Sequence, residues 1–577
     1  MRATRIRDLA VVVVMTTTAS VTAGALGTAS ASPLATTAAA QAVSAADRAA
    51  HSHAAETGVG AQDRLKAVDT VVDRDGSKHV RFVRTHRGLP VLGADLVVHL
   101  DAKNAYRGVT RATKRQVDTP ATTPKLSADQ ARAAAAAAAK GQAGQAELVV
   151  SALADRTPVL AYRVKVTDST STEDGGSRTV VVDATTGGVL SNSPANDSFL
   201  TPDVVAKLHR QGPALAPAAT PAAAPAAAAT VGANGTGYSL FVGTVPLTTT
   251  QSGSTYVLRD PSRGNTEVRD ARNIAYTNFA SGSAITSTTN KWGNGTTANR
   301  TSAAVDAQYG VTSTLDFYRS AFGRNGITGD GSGAHAMVHY GYRVGNAYWN
   351  PDCACMLYGD GDGTTFTKPL VVLDVTGHEL THGVVNATAD LQPTRVDAQG
   401  HQYGEPGALN ESLADIFGSG VEFATNNPNN PPNYLIGEKL GLQQGFLRRL
   451  DHPSLDQLEG TIDYWSDTTA DAEVHAGSGV SSHAFYLLAE GSGAKTIGNY
   501  AYDSDTYDGS TVTGIGRDKA LAVFYRALTV YMVSSTSFHD ARTATLSAAG
   551  DLYGTDSVEY QTVDQAWAAV NVTAANG

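Results

Sequence analysis

The spacing of apolar residues divides the chain into a mixed front region, a strand-rich middle and a helix-rich back. Three runs predict strands joined by turns: "HVRFVRTHRGLPVLGADLVVHLDA", "PVLAYRVKVTD" and "RTVVVDATTGGVL". The run "SADQARAAAAAAAKGQAG" predicts a capped helix. Residues 237–276 are again strand-like, whereas helical periodicity dominates from Leu370 onward. This pattern predicts a small α+β front region followed by a β-rich lobe and then an α-rich lobe.

Composition marks two boundaries. Residues 1–31 combine early arginines, the apolar run "LAVVVVM" and a small-residue site, which is typical of a secretory signal. Thr, Ser and Gly crowd its second half, which argues against the alternative, a membrane anchor, and no later apolar run could span a bilayer. The Pro/Ala run 212–230 predicts a linker. We therefore expect a secreted, extracellular protein with a signal (1–31), a front region (32–211), a linker (212–230), a β-rich lobe (231–369) and an α-helical lobe (370–577).

Charge is unevenly distributed. Residues 1–230 contain 25 basic and 19 acidic residues, whereas the remainder contains 19 and 35. The acidic back half argues against nucleic acid as a partner and suits a protein that binds cations, although solubility alone would also explain it. The two cysteines, Cys353 and Cys355, either pair with each other or remain free thiols, and neither case favours a thiolate zinc site.

The stretch "LDVTGHELTHGVV" has the spacing of a metal site. We predict a helix over 369–387 with Pro369 in its first turn. On such a helix His378 and His382 project from one face, close enough for both imidazoles to reach one ion. Glu379 lies about a quarter-turn away, where it could act as a base on metal-bound water.

A third ligand is available downstream in "GALNESLADIFGSGVEF". Its apolar residues form one helical stripe, and Glu411 and Asp415 lie four apart on another. Glu411 would complete a set of two histidines and one glutamate, leaving the fourth position for water. Asp415 could hold the far nitrogen of a ligating histidine. By spacing alone, a solvated helix face explains the two acids equally well.

Other catalytic motifs have little support. "GSG" occurs at residues 331–333, 477–479 and 491–493, but none of these copies lies in a G-x-S-x-G turn between a strand and a helix. "YGDGDG" is not a G-x-G-x-x-G fingerprint and follows no βαβ pattern, which argues against nucleotide binding.

Six segments in order resemble the thermolysin-like neutral metalloproteases, which are secreted zinc endopeptidases made as preproenzymes. They are "NAYWN", "YGDGDG", "HELTH", "GALNESLADIFG", "VHAGSG" and "GIGRDKALAVFYRAL", within residues 254–572. The front region resembles the family's propeptide, most clearly in "RTHRGLPVLGADLVVHLD". The resemblance implies a two-lobed α+β fold with a zinc cleft between the lobes. It also implies that the propeptide is an intramolecular inhibitor and folding aid, removed near residues 225–237.

The resemblance also implies roles for individual residues. Zinc would be bound by His378, His382 and Glu411, with Asp415 orienting His378. His475, which the sequence alone would leave as a surface histidine, and Tyr403 would stabilise the oxyanion. The residues matching the substrate-binding positions are Asn346, Ala347 and Arg448 for the backbone, and Phe366, Val375, Ile436 and Leu447 for a large apolar side chain just after the cleaved bond.

Several positions depart from the family pattern. Tyr403 lies one residue nearer to Glu411 than the family's tyrosine, and about nine extra residues enlarge the loop between His382 and Glu411. The best match to the aspartate that orients His475 is Asp471, one residue closer than usual.

The family's paired calcium site is matched only in part. Its matching carboxylates are Asp374, Glu422 and Glu438, but Asn433 and Leu435 replace two acidic positions. Because calcium affinity follows the number of carboxylates, we expect one structural calcium there and not two.

Together these features predict a zinc metalloendopeptidase acting on proteins and peptides, with Glu379 as general base. A binding or adhesion protein that retains the fold without catalysis, and another zinc hydrolase such as an exopeptidase, are the alternatives.

Overall fold

The computed structural model describes residues 12–13, 33–119, 122–167, 176–208, 230–275 and 278–576. The predicted signal lies outside these ranges apart from Val12 and Val13, and the predicted linker lies outside them apart from Thr230. Within the described ranges, no helix has the length and apolarity needed to cross a bilayer.

Twelve α-helices are found in the described part of the chain. They are α1 Pro33–Ser52, α2 Ala54–Thr57, α3 Ala128–Ala139, α4 Pro202–Leu208, α5 Thr301–Phe322, α6 Leu373–Asn386, α7 Glu405–Thr425, α8 Val474–Gly477, α9 Gly479–Glu490, α10 Arg517–Arg526, α11 Phe538–Tyr553 and α12 Val558–Ala569.

The strands form three larger sheets and three short hairpins. The front sheet contains Val12–Val13, Asp63–Val72, Lys78–His86, Leu89–Leu92, Leu96–Leu100, Tyr106–Arg111, Gln142–Ser151, Val159–Thr167, Ser177–Asp183 and Val189–Pro194. The second sheet contains Asp197–Ser198, Arg259–Asp260, Thr266–Asp270, Ser283–Ala284, His335–Val338, Ala347–Asn350 and Cys355–Tyr358. The third contains Thr230–Tyr238, Thr244–Ser252, Thr255–Val257, Thr286–Ser287 and Lys291–Gly293. The hairpins pair Arg395–Val396 with Gln402–Tyr403, Leu435–Ile436 with Arg448–Arg449, and Gly493–Ile497 with Tyr500–Ser504.

The front region has the predicted α+β composition. Helix α3 begins at a capping box in which the Ser127 hydroxyl accepts from the Gln130 backbone and the Gln130 side chain accepts from the Ser127 backbone. Its alanines at 131, 135 and 139 are buried in a cluster with apolar residues of the neighbouring strands, such as Val164 and Val180. Burial at a spacing of four residues fixes one face of the helix on the sheet.

The back part places strand-rich sheets first and helices α6 to α12 afterwards, as the apolar pattern predicts. Helices α6 and α7 pack closely because glycines face each other: a Cβ added at Gly377 would lie 3.0 Å from the Gly418 Cα. A side chain at either position would push the two helices apart. This close approach is what brings residues of α7 next to the histidines of α6.

The predicted start of α6 was wrong. The helix begins at Leu373, with Val372 extended as its N-cap, so Pro369 precedes the helix and does not lie in its first turn. The reason is tertiary: the Leu370 N–H donates to the Gly359 carbonyl at 3.1 Å, which holds this segment outside the helix.

Candidate metal centre and substrate cleft

Helices α6 and α7 bring three buried ligands to one point. The ligand atoms of His378, His382 and Glu411 lie within 4.8 Å of one another. The Nε2 atoms of the two imidazoles are 3.1 Å apart, and Glu411 Oε2 lies 3.4 Å from Nε2 of His378 and 3.8 Å from that of His382. Glu411 Oε2 makes no hydrogen bond within the described residues. Two imidazole nitrogens and one orphaned carboxylate oxygen are a donor set that fits zinc.

The far nitrogen of each imidazole has its own acceptor. His378 Nδ1 contacts Asp415 Oδ1 at 2.7 Å, the orienting pair that the family resemblance implies. His382 Nδ1 contacts Asn410 Oδ1 at 3.0 Å, a partner that the sequence analysis missed. Asn410 directly precedes Glu411, so its place on the ligand helix was the available signal. Such contacts fix each ring so that Nε2 points at the shared centre.

Neighbouring positive charges lower the pKa of both acids at this centre. Burial opposes ionisation of Glu411, but the positive charges of His475, His382 and His378 outweigh it and lower the pKa of Glu411. Burial likewise opposes ionisation of Asp415, yet Arg448 and His378 lower its pKa to about 2. Both carboxylates therefore stay ionised, which is the form that a cation requires.

Glu379 is buried beside the three ligands. Neither of its carboxylate oxygens has a hydrogen-bond partner among the described residues. Burial, partly offset by His378, raises the pKa of Glu379 to about 8. An acid whose pKa lies near neutrality can both accept and release a proton at the reacting centre.

His475 faces the same centre from α8. Its Nε2 lies 3.4 Å from Glu411 Oε2 and 2.9 Å from the carbonyl oxygen of Ser198. Its Nδ1 contacts Glu473 Oε2 at 3.0 Å, and the same oxygen accepts from the His475 backbone N–H at 2.8 Å. The residue that holds His475 is therefore Glu473, and not Asp471, the best sequence match to the family's orienting aspartate. Asp471 lies in a separate turn, Thr469–Asp471, while Glu473 caps the helix that begins at Val474.

In this structure the Tyr403 hydroxyl is hydrogen-bonded to a residue of the enlarged loop. It donates to Asp397 Oδ2 at 2.9 Å, and the guanidinium of Arg395 lies over its ring at 3.7 Å. Tyr403 belongs to the hairpin that the enlarged loop forms. A β-bridge between Tyr403 and Glu473 places this hairpin next to the cleft. The same loop contacts the front region, since His401 Nε2 lies 3.2 Å from Asp203 Oδ1.

A segment of the front region runs through the cleft. Strand Asp197–Ser198 pairs antiparallel with Ala347–Asn350, Asp197 opposite Trp349 and Ser198 opposite Tyr348. The Phe199 N–H donates to the Ala347 carbonyl at 3.1 Å, and the Leu200 N–H donates to Asn346 Oδ1 at 3.1 Å. Two of the predicted backbone-binding residues thus contact the chain's own front region.

Arg448, the third such residue, joins this segment to the metal centre. Its Nη1 donates to the Phe199 carbonyl at 3.4 Å. Its Nε and Nη2 donate to the two oxygens of Asp415 at 2.8 and 2.9 Å, and Nη1 also donates to Glu459 at 2.7 Å. This buried guanidinium is therefore held rigidly by two carboxylates. Glu459 was not among the predicted residues.

The Phe199 side chain is 0 % exposed. Its ring lies edge-on to the His378 imidazole with centroids 5.3 Å apart, and a Cβ added at Gly437 would lie 3.6 Å from the tip of the ring. The four predicted pocket residues are buried in the same apolar cluster: Phe366, Val375, Ile436 and Leu447.

A second cluster contains only carboxylates, of which two are buried and Glu438 is half-buried. Ligand oxygens of Asp374, Glu422 and Glu438 lie within 4.8 Å of one another. Burial raises the pKa of all three, that of Glu438 to about 8, and the charges of neighbouring acids raise those of Glu422 and Glu438 further. Both Glu438 oxygens lack a hydrogen-bond partner in the described part of the chain. Three oxygens that repel one another in this way fit a hard cation such as Ca²⁺.

Asn433 and Leu435, which stand where the family has acidic residues, take part in hydrogen bonds of their own. Asn433 Nδ2 donates to Glu422 at 3.3 Å, and the Leu435 N–H donates to the Asn433 side chain at 2.7 Å. Elsewhere in the β-rich lobe, Cys353 and Cys355 form a disulfide.

Comparisons with known proteins find one family along the chain. Residues 234–386 match the thermolysin metallopeptidase catalytic domain and residues 401–572 match its α-helical domain. Residues 63–113 match the fungalysin/thermolysin propeptide motif, and residues 125–192 match the peptidase propeptide and YPEB domain. These matches confirm the predicted fold class, a two-lobed thermolysin-like unit preceded by a propeptide.

Individual relatives agree. A transglutaminase-activating metalloprotease of Streptomyces mobaraensis is 40% identical over 526 residues, which is 89% of this chain and 62% of that protein. A bacillolysin of Bacillus cereus is 37% identical over 59% of this chain and 55% of its own length. The chain thus spans less than two thirds of these two relatives. A bacillolysin of Bacillus amyloliquefaciens is 31% identical over 88% of this chain and 86% of its own length.

Proposed function

The chain belongs to the thermolysin family of metallopeptidases, and on that premise we propose that it is a secreted zinc-dependent endopeptidase. It cuts peptide bonds in which a large apolar residue follows the cleaved bond. The observation that supports this function best is the convergence of two oriented imidazoles and one orphaned carboxylate beside a buried glutamate. A pure scaffold has no need of that glutamate.

Each residue of the centre has a defined task. His378, His382 and Glu411 would hold zinc, which when bound supplies Lewis acidity to the attacking water and the peptide carbonyl. Glu379 takes a proton from that water and later delivers it to the leaving nitrogen. His475 donates from Nε2 to the oxygen that becomes negative. Because its Nδ1 also donates to Glu473, this role requires the doubly protonated ring. Burial opposes that form, but the charges of Glu411 and Glu473 raise the pKa of His475 well above its usual value. We assign no direct contact with substrate to Tyr403 while its hydroxyl is bonded to Asp397.

Substrate binding uses the edge of the second sheet. Asn346, Ala347 and Arg448 would bind the backbone on the far side of the cleaved bond, as they bind residues 199–200 here. The pocket that holds Phe199 would take the apolar side chain. Main-chain pairing orients any extended peptide, and the pocket selects the bond.

The front region acts as an inhibitory propeptide in this proposal, because a chain already bound in the cleft excludes other substrates. Calcium binds at Asp374, Glu422 and Glu438, where it neutralises buried repulsion between the three acids. We propose one ion there. Metal analysis of the mature protein would contradict this if it found two tightly bound calciums per chain.

A chelation experiment tests the enzyme function. The mature protein, with calcium present throughout, is stripped of zinc and offered casein and defined peptides. We expect cleavage to stop and to return when zinc alone is added, with new amino termini that begin at large apolar residues inside the peptides. Cleavage confined to peptide ends would favour an exopeptidase, and no zinc-dependent cleavage would favour a binding protein.

A further inference from the structure

The segment in the cleft lies there in the orientation of a substrate, and it presents one particular bond. We propose that the chain first cuts itself at the Ser198–Phe199 bond, within its own cleft. This inference rests on the proposed endopeptidase function. It differs from the maturation site expected near residues 225–237, which spans the end of the Pro/Ala linker.

Four hydrogen bonds define the register. The Ser198 carbonyl faces His475 Nε2 at 2.9 Å, the position where the oxyanion of a cleaved bond would form. On the other side of that bond, Phe199 donates to Ala347 at 3.1 Å and accepts from Arg448 at 3.4 Å. The Leu200 N–H then reaches Asn346 at 3.1 Å. Residues with predicted roles at the oxyanion and at the backbone after the cleaved bond therefore agree on a single bond.

The direction of the chain follows from the same contacts. A guanidinium only donates hydrogen bonds, so Arg448 requires a carbonyl at its position, and Ala347 O requires an N–H. Phe199 supplies both, its N–H to the Ala347 carbonyl and its carbonyl to Arg448. Running the segment in reverse would exchange donors and acceptors along the strand. The segment is therefore not protected from cleavage by a reversed path.

The side chain after the bond also fits. Phe199 is fully buried beside His378, with the Arg448 guanidinium 5.3 Å from the centre of its ring. The neighbouring Leu200 is buried too, whereas Ser198 is only half-buried. The segment therefore presents the features on which selection of the bond depends, namely an extended backbone and a large apolar residue after the bond.

Occupancy of the cleft sets the order of events. One cleft holds one peptide, and residues 197–200 fill it while the front region is bound. On the carboxyl side of the linker, Thr230–Tyr238 is the central partner of Thr244–Ser252 and Lys291–Gly293 in the third sheet. A linker bond can therefore enter a cleft only after the segment has left, or in another molecule. The Ser198–Phe199 cut precedes trimming of the linker.

The step balances with water as the co-reactant. The water oxygen bonds to the Ser198 carbonyl carbon, and the bond from that carbon to the Phe199 nitrogen breaks. Glu379 transfers one water proton to the leaving nitrogen, and the second, released when the new Ser198 carboxyl group ionises, protonates the new amino terminus. Ser198 gains the carboxylate. No oxidant or second substrate is needed.

A time course on the full chain tests the proposal. The zinc-stripped full chain, kept in calcium, is started with zinc and followed by intact mass and amino-terminal sequencing. We expect a product that begins at Phe199 to form before any product that begins within 225–237, with a first-order rate constant that does not change with chain concentration. A linker product that forms first, or a rate proportional to concentration, would overturn the proposal.

Variants test whether recognition of the cut bond depends on the side chain of residue 199. Phe199→Leu should keep the cut at the same bond, whereas Phe199→Asp should abolish it. Val189→Asp places the same charge on an exposed front-region residue and should leave the cut unchanged. A full chain carrying Glu379→Gln should stay intact alone, and added active enzyme should cut it in the linker before residue 199, because its own cleft covers that bond. Early cutting at 199 in this mixture would refute self-cleavage.

A separate assay distinguishes failure of the self-cleavage proposal from failure of the proposed endopeptidase function. The mature enzyme is offered casein and a peptide with the sequence of residues 194–204. Cleavage of both, together with an intact Ser198–Phe199 bond in the full chain, would refute only the self-cleavage. No zinc-dependent cleavage of either would refute the endopeptidase function itself.

Discussion

Two of the contacts between the front region and the catalytic part differ in chemistry. In the cleft contact, residues 197–200 use mainly backbone hydrogen bonds and one buried aromatic ring. The distal contact, by contrast, consists of charged and polar side chains around Arg526, which contacts both Asp73 and Asp551. There the Arg526 guanidinium donates to the two Asp73 oxygens at 2.8 and 2.6 Å.

Further polar pairs extend the distal contact. Ser534 donates through its backbone to Asp95 at 3.2 Å, and Arg81 donates to the Thr529 carbonyl at 3.3 Å. His79 contacts both Asp73 and His99. None of these residues belongs to the cleft.

The difference in chemistry gives the two contacts different tasks. The cleft contact inhibits the enzyme, and the distal contact retains the front region after it has been cut. Any extended peptide with a suitable apolar residue can imitate the cleft contact, so that contact can be exchanged for a substrate. The distal contact depends on particular side chains and is untouched when the cleft segment is cut. We therefore expect the front region to remain bound for some time after cleavage, and four experiments test this comparison.

The largest effect should come from Glu379→Gln. Because the substituted amide cannot take up the water proton, turnover should fall by about 10²- to 10⁴-fold while zinc is retained. The full chain would keep both contacts intact. Casein hydrolysis and metal analysis measure the two properties, with Glu559→Gln, a remote partner of Lys519, as the control. Parental activity in the Glu379 variant would remove this residue from the mechanism.

Phe199→Ala, in the Glu379→Gln background, weakens the cleft contact alone. Removing a fully buried phenylalanine costs about 3–5 kcal/mol. A peptide inhibitor should then bind the uncut chain about 10²- to 4 × 10³-fold more tightly, because it competes with a weaker occupant. Titration calorimetry measures this affinity, and Val189→Ala is the matched front-region control. Unchanged inhibitor affinity would mean that Phe199 does not hold the segment in the cleft.

Arg526→Ala weakens the distal contact alone. It leaves Asp73 and Asp551 without their shared cation, at a cost of about 2 kcal/mol. After cleavage, the front region should dissociate with a Kd roughly 30-fold higher, measured by gel filtration of the cut protein. Arg542→Ala breaks a similar pair with Asp564 inside the catalytic part and should leave the Kd unchanged. Equal effects of the two variants would contradict the assigned role of Arg526.

Acidification should have the smallest effect. Burial and the neighbouring His79 lower the pKa of His99 to about 3 from its usual 6.5. The released front region takes up a proton below pH 6.5 that the bound one resists, so binding is strongest above that pH and declines as pH falls towards 3. Between pH 7.5 and 5.5 the loss is at most about 1.4 kcal/mol.

Variants at two histidines check this assignment. The Kd of the cut front region is measured at both pH values by gel filtration. His99→Gln should remove most of the pH dependence, whereas His51→Gln, on helix α1, should leave it as in the parent. A pH dependence that persists in the His99 variant would assign it to another group.

Sequence alone determined the features that depend on local periodicity. Two histidines four residues apart on α6 must share a face, and the same holds for Glu411 and Asp415 on α7, whatever the rest of the chain does. The capped helix α3 and the order of β-rich and α-rich lobes followed from similar patterns. These properties are set within a few turns of chain.

Tertiary packing decided the contacts between distant residues. Glu473, and not Asp471, holds His475, because the start of α8 turns Glu473 towards its own helix end. The Ser198 carbonyl meets His475 across 277 positions of sequence, and the enlarged loop draws Tyr403 to Asp397. No periodicity predicts such pairs, since each depends on how whole sheets and helices pack. Spacing along α6 fixed the two histidine ligands, but only the folded chain brought Glu411 to them and determined which peptide occupies the cleft beside them.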